Sequence, residues 1–153
     1  MSFENTDGEF VTIKTPKEYK YDGFISFLQL DDGFVVSLPP RDGIENKFIR
    51  QNMFKFNEKG EIDWVVGDKY EKIWKPYFEN KRKEGIYNSE EDYNKVLDRF
   101  VETPFQNVYY TERFPKFEIA DRQDKIIADE STGNYYSVDV HTGEVEFIKA
   151  VRD

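Results

Sequence analysis

Cysteine is absent from this 153-residue chain, and histidine occurs once, as His141. Without cysteine there is no disulfide framework, no thiol nucleophile and no thiolate zinc site, and one imidazole cannot build a multi-histidine metal centre. Long apolar runs are missing as well. Nothing approaches the roughly 20 residues of a membrane-spanning helix, and Met1 to Asp7 lacks a basic stretch followed by an apolar one. Positive charge is the scarcer sign: 22 Lys and Arg stand against 31 Asp and Glu, a formal net charge of −9 with a pI near 4.8. Such an excess opposes unaided attraction to nucleic acid or to an anionic membrane and favours a basic protein partner. These absences remove several enzyme classes, and the expectation is a soluble, cytoplasmic protein with no cofactor and no metal.

Charge and aromatic rings are what the chain has in quantity. A charged fraction of 35% and a mean hydropathy of −0.79 would suit disorder, but 14 Phe, 10 Tyr and 2 Trp supply large burial areas per residue. The length suits a single domain, residues 1–153, with its own core.

Hydrophobic periodicity divides the chain into a β part at 9–67, a helical hairpin at 68–102 and a second β part at 105–151. The runs Phe24–Leu30 and Phe34–Leu38 flank Asp31-Asp32-Gly33, a hairpin signal. A second hairpin is expected from Lys47–Phe56 and Glu61–Val66, with Phe54, Phe56, Ile62, Trp64 and Val66 sharing one face by parity. From Asp68 to Lys83 the period becomes 3.6, with Tyr70, Ile73, Trp74, Tyr77 and Phe78 on one stripe, Asp68 and Glu71 spaced as a capping box, and Pro76 predicting a kink or break. Ser89 opens another helix, through Tyr93, Val96, Leu97, Phe100 and Val101 to Pro104. Strands are then expected at Gln106–Arg113, Phe117–Ala120 and Asp124–Ala128, before a hairpin of Asn134–Val140 with Glu144–Ala150. The fold class is therefore α+β, an antiparallel, hairpin-built β domain with an inserted helical hairpin.

Asn52–Trp64 and Asn134–Phe147 share a pattern: Asn, two large apolar residues, a turn, then Gly-Glu, an apolar residue, an acid and an aromatic. Two copies separated by helices make a pair of similar hairpins rather than a propeller, which needs at least about four blades. Charge is uneven too, net −4 in each β part and −1 in the helical part.

Recognised catalytic patterns are missing. No Gly-rich phosphate loop, Gly-x-Ser-x-Gly elbow or calcium loop occurs, and His141 falls in a hairpin turn, which ordinarily offers neither an orienting neighbour nor a pocket. Glu90-Glu91-Asp92 read as the acidic first turn of a helix. The last third is richer: Asp121, Asp124, Asp129, Glu130 and Asp139 lie in or beside predicted loops, interleaved with Tyr109, Tyr110, Tyr135 and Tyr136. Carboxylates rimmed by tyrosines suit a surface that binds a basic protein, so Asp121, Asp124, Asp129, Glu130, Tyr135 and Asp139 are the candidate partner-binding residues. A different class is also open, a small-ligand or carbohydrate-binding module or hydrolase using paired carboxylates with Trp64, Trp74, Tyr109 or Tyr110. A structural adaptor is the third.

Lys125-Ile126-Ile127-Ala128, followed by Gly133-Asn134-Tyr135-Tyr136-Ser137-Val138-Asp139 and Thr142-Gly143-Glu144-Val145, resembles the C-terminal strands of small acidic immunity proteins that accompany bacterial polymorphic and contact-dependent toxins. The resemblance covers residues 120–150 and extends faintly to the Asn52–Val66 hairpin. It implies a non-enzymatic cytoplasmic protein that binds one cognate toxin domain, a basic nuclease-type effector, and covers its active site. It assigns no binding residue, because immunity families share no single interface.

Overall fold

The computed structural model describes residues 2–4, 7–20, 23–67 and 74–150. Its architecture is α+β: two four-stranded antiparallel meanders, a short N-terminal hairpin, and a pair of helices inserted between the meanders. The N-terminal hairpin is β1 (Ser2–Glu4) with β2 (Phe10–Thr12). The first meander runs β3 (Ser26–Leu30), β4 (Gly33–Ser37), β5 (Met53–Asn57) and β6 (Ile62–Val65). The second runs β7 (Phe105–Tyr110), β8 (Lys125–Glu130), β9 (Asn134–Asp139) and β10 (Val145–Ala150). The two similar sequence hairpins are thus the third and fourth strands of each meander.

Asp31-Asp32 forms the tight β3–β4 turn, with Leu30 paired to Gly33. Gly33 is required by approach: a β-carbon there would lie 2.0 Å from the Phe56 carbonyl oxygen of the neighbouring strand. The first meander is buried on both faces. Leu28, Val35, Met53, Trp64 and Val66 join a core shared with Val108, Ile126, Ala128, Tyr136, Val138 and Val145 of the second meander. On the other face Phe34, Val36, Leu38, Phe54 and Phe56 pack with Ile13 and Tyr19 of the N-terminal arm.

The two meanders meet at two places. On one side Ser26 Oγ accepts from Val108 N–H at 3.0 Å and Tyr110 O–H donates to the Gln29 carbonyl at 2.6 Å. Ser37 Oγ donates to the Gln106 carbonyl in the same region. On the other, Trp64 Nε1–H donates to the Val140 carbonyl at 2.9 Å, and Gly67 N–H to that of Gly143, also at 2.9 Å.

Several sequence expectations shift. Trp64 is buried as expected, but Phe54 and Phe56 face away from it, because the β5–β6 register slips between Lys55 and Phe56. The slip makes Asp63 the extra residue of a β-bulge, which reverses parity along β6 and leaves Ile62 and Val65 about two-fifths exposed. Residues expected to begin a strand at Lys47 instead form a helical turn, α1 (Asn46–Ile49). Tyr19 Oη lies 2.8 and 2.6 Å from the Phe48 and Gln51 carbonyls, which holds that turn closed. The strand expected through Arg113 ends at Tyr110 and continues as a 3₁₀ turn, Thr111–Arg113. Phe117–Ala120 is a loop, its backbone gripped by Arg122 and its ring stacked on Phe114 with centroids 4.7 Å apart.

The helical insert comprises α2 (Lys75–Lys83) and α3 (Glu90–Val101). Pro76 stands in the first turn of α2, where its missing N–H costs no helical bond. The expected capping box at Asp68 and Glu71, with Tyr70 and Ile73, lies outside the described residues. α3 follows its sequence signal closely. Ser89 Oγ accepts from Asp92 N–H at 3.1 Å, three acids occupy the first turn, and Tyr93 and Phe100 turn inward. Trp74, fully buried, packs edge-on against Tyr136 and Phe147, fixing the insert to the second meander.

Candidate functional site

The β3–β4 turn, the 3₁₀ turn after β7, the start of β8 and the β9–β10 turn surround an open cleft of about 530 Å³. Its lining includes Asp31, Asp32, Glu112, Asp124 and His141, with Tyr110 on one wall. Of the nearby cations, Arg122 and Lys125 are engaged away from the acids of the lining, and Lys55 neutralises only Asp32 among them. Arg122 donates to three carbonyls, those of Thr111 at 2.8 Å, Phe114 at 2.6 Å and Phe117 at 2.7 Å, so its guanidinium organises the 111–117 loop. Lys125 Nζ lies 3.7 Å from Asp139 Oδ2. Lys55 Nζ, buried beneath the β3–β4 turn, bonds Asp32 at 3.0 Å and Asp63 at 2.6 Å. Asp31, Glu112 and Asp121 have no cationic partner among the described residues.

Local chain geometry puts these acids in place. Asp121 is the one non-glycine residue among those described with positive φ, 53°, and it opens a 3₁₀ turn at Arg122–Asp124. Aspartate tolerates this left-handed conformation better than most side chains. Val140 N–H donates to the Asp124 carbonyl at 2.9 Å, joining this turn to the β9–β10 turn. His141 Nε2 then lies 3.1 Å from Asp124 Oδ1. His141 therefore does have an oriented carboxylate neighbour and does line a cleft, contrary to the expectation for a turn tip. Asp139 accepts from the backbone N–H groups of His141 at 2.8 Å and Thr142 at 3.1 Å. Partial burial pushes its carboxyl up, but those two N–H groups with Lys125 and His141 outweigh it and hold the pKa below the usual aspartate value.

The six residues singled out in the sequence thus fall in three places. Asp121, Asp124 and Asp139 lie at or beside the cleft. Asp129 and Tyr135, cross-strand partners on β8 and β9, sit on the outer face of the second meander. Asp129 is buried there, accepting from Asn107 N–H at 2.9 Å and Tyr109 O–H at 2.8 Å, while Tyr135 packs edge-on against Phe114 and Phe117. Burial, with Asp129 beside it, pushes the Tyr109 phenol up to about 12. Glu130, the next strand residue, points to the opposite face, as strand alternation requires. There it meets Arg50 Nη1 at 2.6 Å and Asn134 Nδ2 at 2.8 Å, with none of its side chain exposed. Burial keeps its carboxyl above the ordinary value despite the opposing pull of Arg50. The expectation that Asp129 and Glu130 belong to a loop is corrected: both are interior strand residues, and neither offers a carboxylate to the surface.

Sequence reasoning missed Asp31, Asp32 and Glu112, reading the first two as turn residues and giving the third no role. Their contribution arises from long-range packing of β3 beside β7, which no local pattern reports. Among the described residues no group of three or more His, Asp or Glu side chains is arranged to hold a metal ion. No described helix is long and apolar enough to cross a membrane. Chemically the cleft can accept hydrogen bonds and positive charge. Each carboxylate–cation contact at 4 Å has a Coulomb energy of about 1 kcal/mol in full water and about 4 kcal/mol at the lower effective dielectric near a protein surface, offset by the cost of desolvation. No family model matches the chain, and searches of the curated proteins and of the solved structures find no match.

Proposed function

We propose that this protein is an immunity protein that binds and neutralises a cognate bacterial toxin domain, a basic nuclease-type effector, by covering its active site. The observation that carries the reading is the cleft, where Asp31, Glu112 and Asp124 are exposed or half-exposed, while Arg122 and Lys125 are engaged with other acceptors and Lys55 pairs with only one acid of the lining, Asp32. A surface acidic in this way, on a chain of net charge −9, steers a basic partner into encounter and opposes acidic competitors. Tyr110, about half exposed on the cleft wall, adds the amphipathic contact area typical of interface anchors.

The alternative built on paired carboxylates draws less support. Asp129 and Glu130, the two buried acids among the described residues, lie on opposite faces of β8 and each accept from several donors, and Trp64 and Trp74 are buried in the core. The test is affinity capture from a lysate of the source cell and its neighbours, eluted in steps of rising salt. Stoichiometric recovery of one basic domain whose activity disappears in the complex is the expected result. Recovery of only acidic proteins, or of a basic domain that stays fully active, would overturn it.

A further inference from the structure

The helical insert carries a second concavity of the opposite charge. α2, the α2–α3 turn, α3 and the β8–β9 turn enclose a groove of about 420 Å³. Tyr77, Ile86 and Val96 give it an apolar lining. Ile86 is 52% exposed and Val96 38%, the two large apolar side chains that the described part of the insert leaves in solvent, and both line this groove. The rest of the insert places its large apolar groups inward, so this exposure is confined to one spot.

Lys81 and Arg99 also line the groove and have no carboxylate partner among the described residues. Arg82 of α2 pairs with Glu90 and Lys95 of α3 with Glu91. Lys81 Nζ instead stands 5.4 Å from the centroid of the Tyr77 ring. The result is a locally cationic, apolar groove on a protein of net charge −9. Charge and apolarity together select the occupant: a basic segment is repelled by Lys81 and Arg99, and a purely polar one leaves Ile86 and Val96 wet.

We propose that the groove between α2 and α3 docks a short apolar segment of a partner protein flanked by acidic residues, its apolar side chains on Ile86 and Val96 and its carboxylates on Lys81 and Arg99. This surface is separate from the acidic cleft and does not depend on the immunity reading.

The test uses the full chain, isotopically labelled for amide NMR, and two synthetic helical peptides. One carries Leu at i, i+3, i+4 and i+7 with Glu elsewhere, and the other replaces each Glu by Lys. The Glu peptide is expected to bind, with shifts concentrated at Ile86, Val96 and Arg99. The Lys peptide should leave those signals unmoved, and any shifts it produces should fall at Asp31 and Glu112. Lys81→Glu with Arg99→Glu should weaken the Glu peptide by roughly tenfold and create affinity for the Lys peptide at the same place. The milder Lys81→Gln with Arg99→Gln, checked for an unchanged melting midpoint, should weaken the Glu peptide without that switch. Absence of Glu-peptide binding, equal binding by wild type and both variants, or perturbation of Ile86 and Val96 by the Lys peptide overturns the proposal. So does a self-association in sedimentation velocity that Val96→Asp abolishes, because the occupant is then a second copy of the chain.

Discussion

Gly143 lies directly against the indole of Trp64: a β-carbon on Gly143 would fall 2.6 Å from Cε3 of the ring, closer than any unstrained contact. Its φ of 76° is also in the region that favours glycine. The turn of one meander is thereby seated on the last strand of the other, and the same contact brings the Val140 carbonyl to Trp64 Nε1 and the Gly143 carbonyl to Gly67 N–H. One wall of the acidic cleft, Val140 and His141, is held in place by this seat.

Trp64→Ala should therefore cost ~3–5 kcal/mol in chemical denaturation, the range for loss of a large buried aromatic. Gly143→Ala should destabilise by more than the ~1–2 kcal/mol that a left-handed backbone costs a residue with a β-carbon, because the new methyl must also displace the ring. An unchanged midpoint for either variant would contradict the seat.

Arg50 and Glu130 form a buried pair in an aromatic surround, with the guanidinium carbon 4.0 Å from the Phe100 ring centroid and 4.8 Å from that of Phe105. Arg50 also donates to the Thr103 carbonyl at 2.9 Å, so it ties the end of α1 to the exit of α3 and to β8. Removing one partner leaves a buried charge uncompensated, and Glu130→Ala should cost ~3–5 kcal/mol. Arg50→Met with Glu130→Leu should recover a large part of that loss, since replacing both charges by apolar groups of similar volume is often neutral. A double-mutant cycle by denaturation measures the coupling, and additive effects would show that the pair is not the tie described here.

Asp139 makes stability depend on pH in a definite direction. Its carboxyl is held below the usual aspartate value of 3.8, so the stability it supplies is fully present above that value and is lost as pH falls through its lower folded pKa. Asp139→Asn should lower the melting midpoint at pH 6, and its own fall in midpoint between pH 6 and pH 3 should be smaller than the wild type's. Parallel curves for the two proteins would remove Asp139 from the acid response.

Charge reversal at the cleft separates steering from folding. Asp31→Lys, Glu112→Lys and Asp124→Lys together should leave the unfolding free energy within about 1 kcal/mol of wild type, since all three are at least partly exposed. Association with a basic partner should slow by roughly ten- to a hundredfold at low salt, with little change at high salt, as read by stopped-flow fluorescence. A salt-independent association rate for both proteins would place the contact elsewhere.

Local chemistry made much of this fold readable. The Asp31-Asp32 turn, the Ser89 cap and the inward residues Tyr93, Leu97, Phe100 and Val101 are decided within a few residues and appear where the sequence puts them, whereas Val96 of the same stripe is left exposed. The bulge at Asp63 does not announce itself, because it depends on Lys55 finding two carboxylates under a turn formed by a different strand. The same limit applies to the site. An acidic, tyrosine-bearing final third is visible in composition, yet adjacent residues such as Asp129 and Glu130 part to opposite faces of one strand once its register is fixed. Asp31 and Glu112 join Asp124 only because β3 lies beside β7, a contact between residues far apart in the chain.

Neutralisation of the captured basic domain tests the central claim most directly. Its catalytic activity would be measured while the protein is titrated in, in parallel with the charge-reversed variant. Activity is expected to fall linearly to zero at one equivalent of wild type, and the variant to require a large excess. Full activity in the presence of excess wild-type protein, or equal inhibition by both proteins, would contradict it.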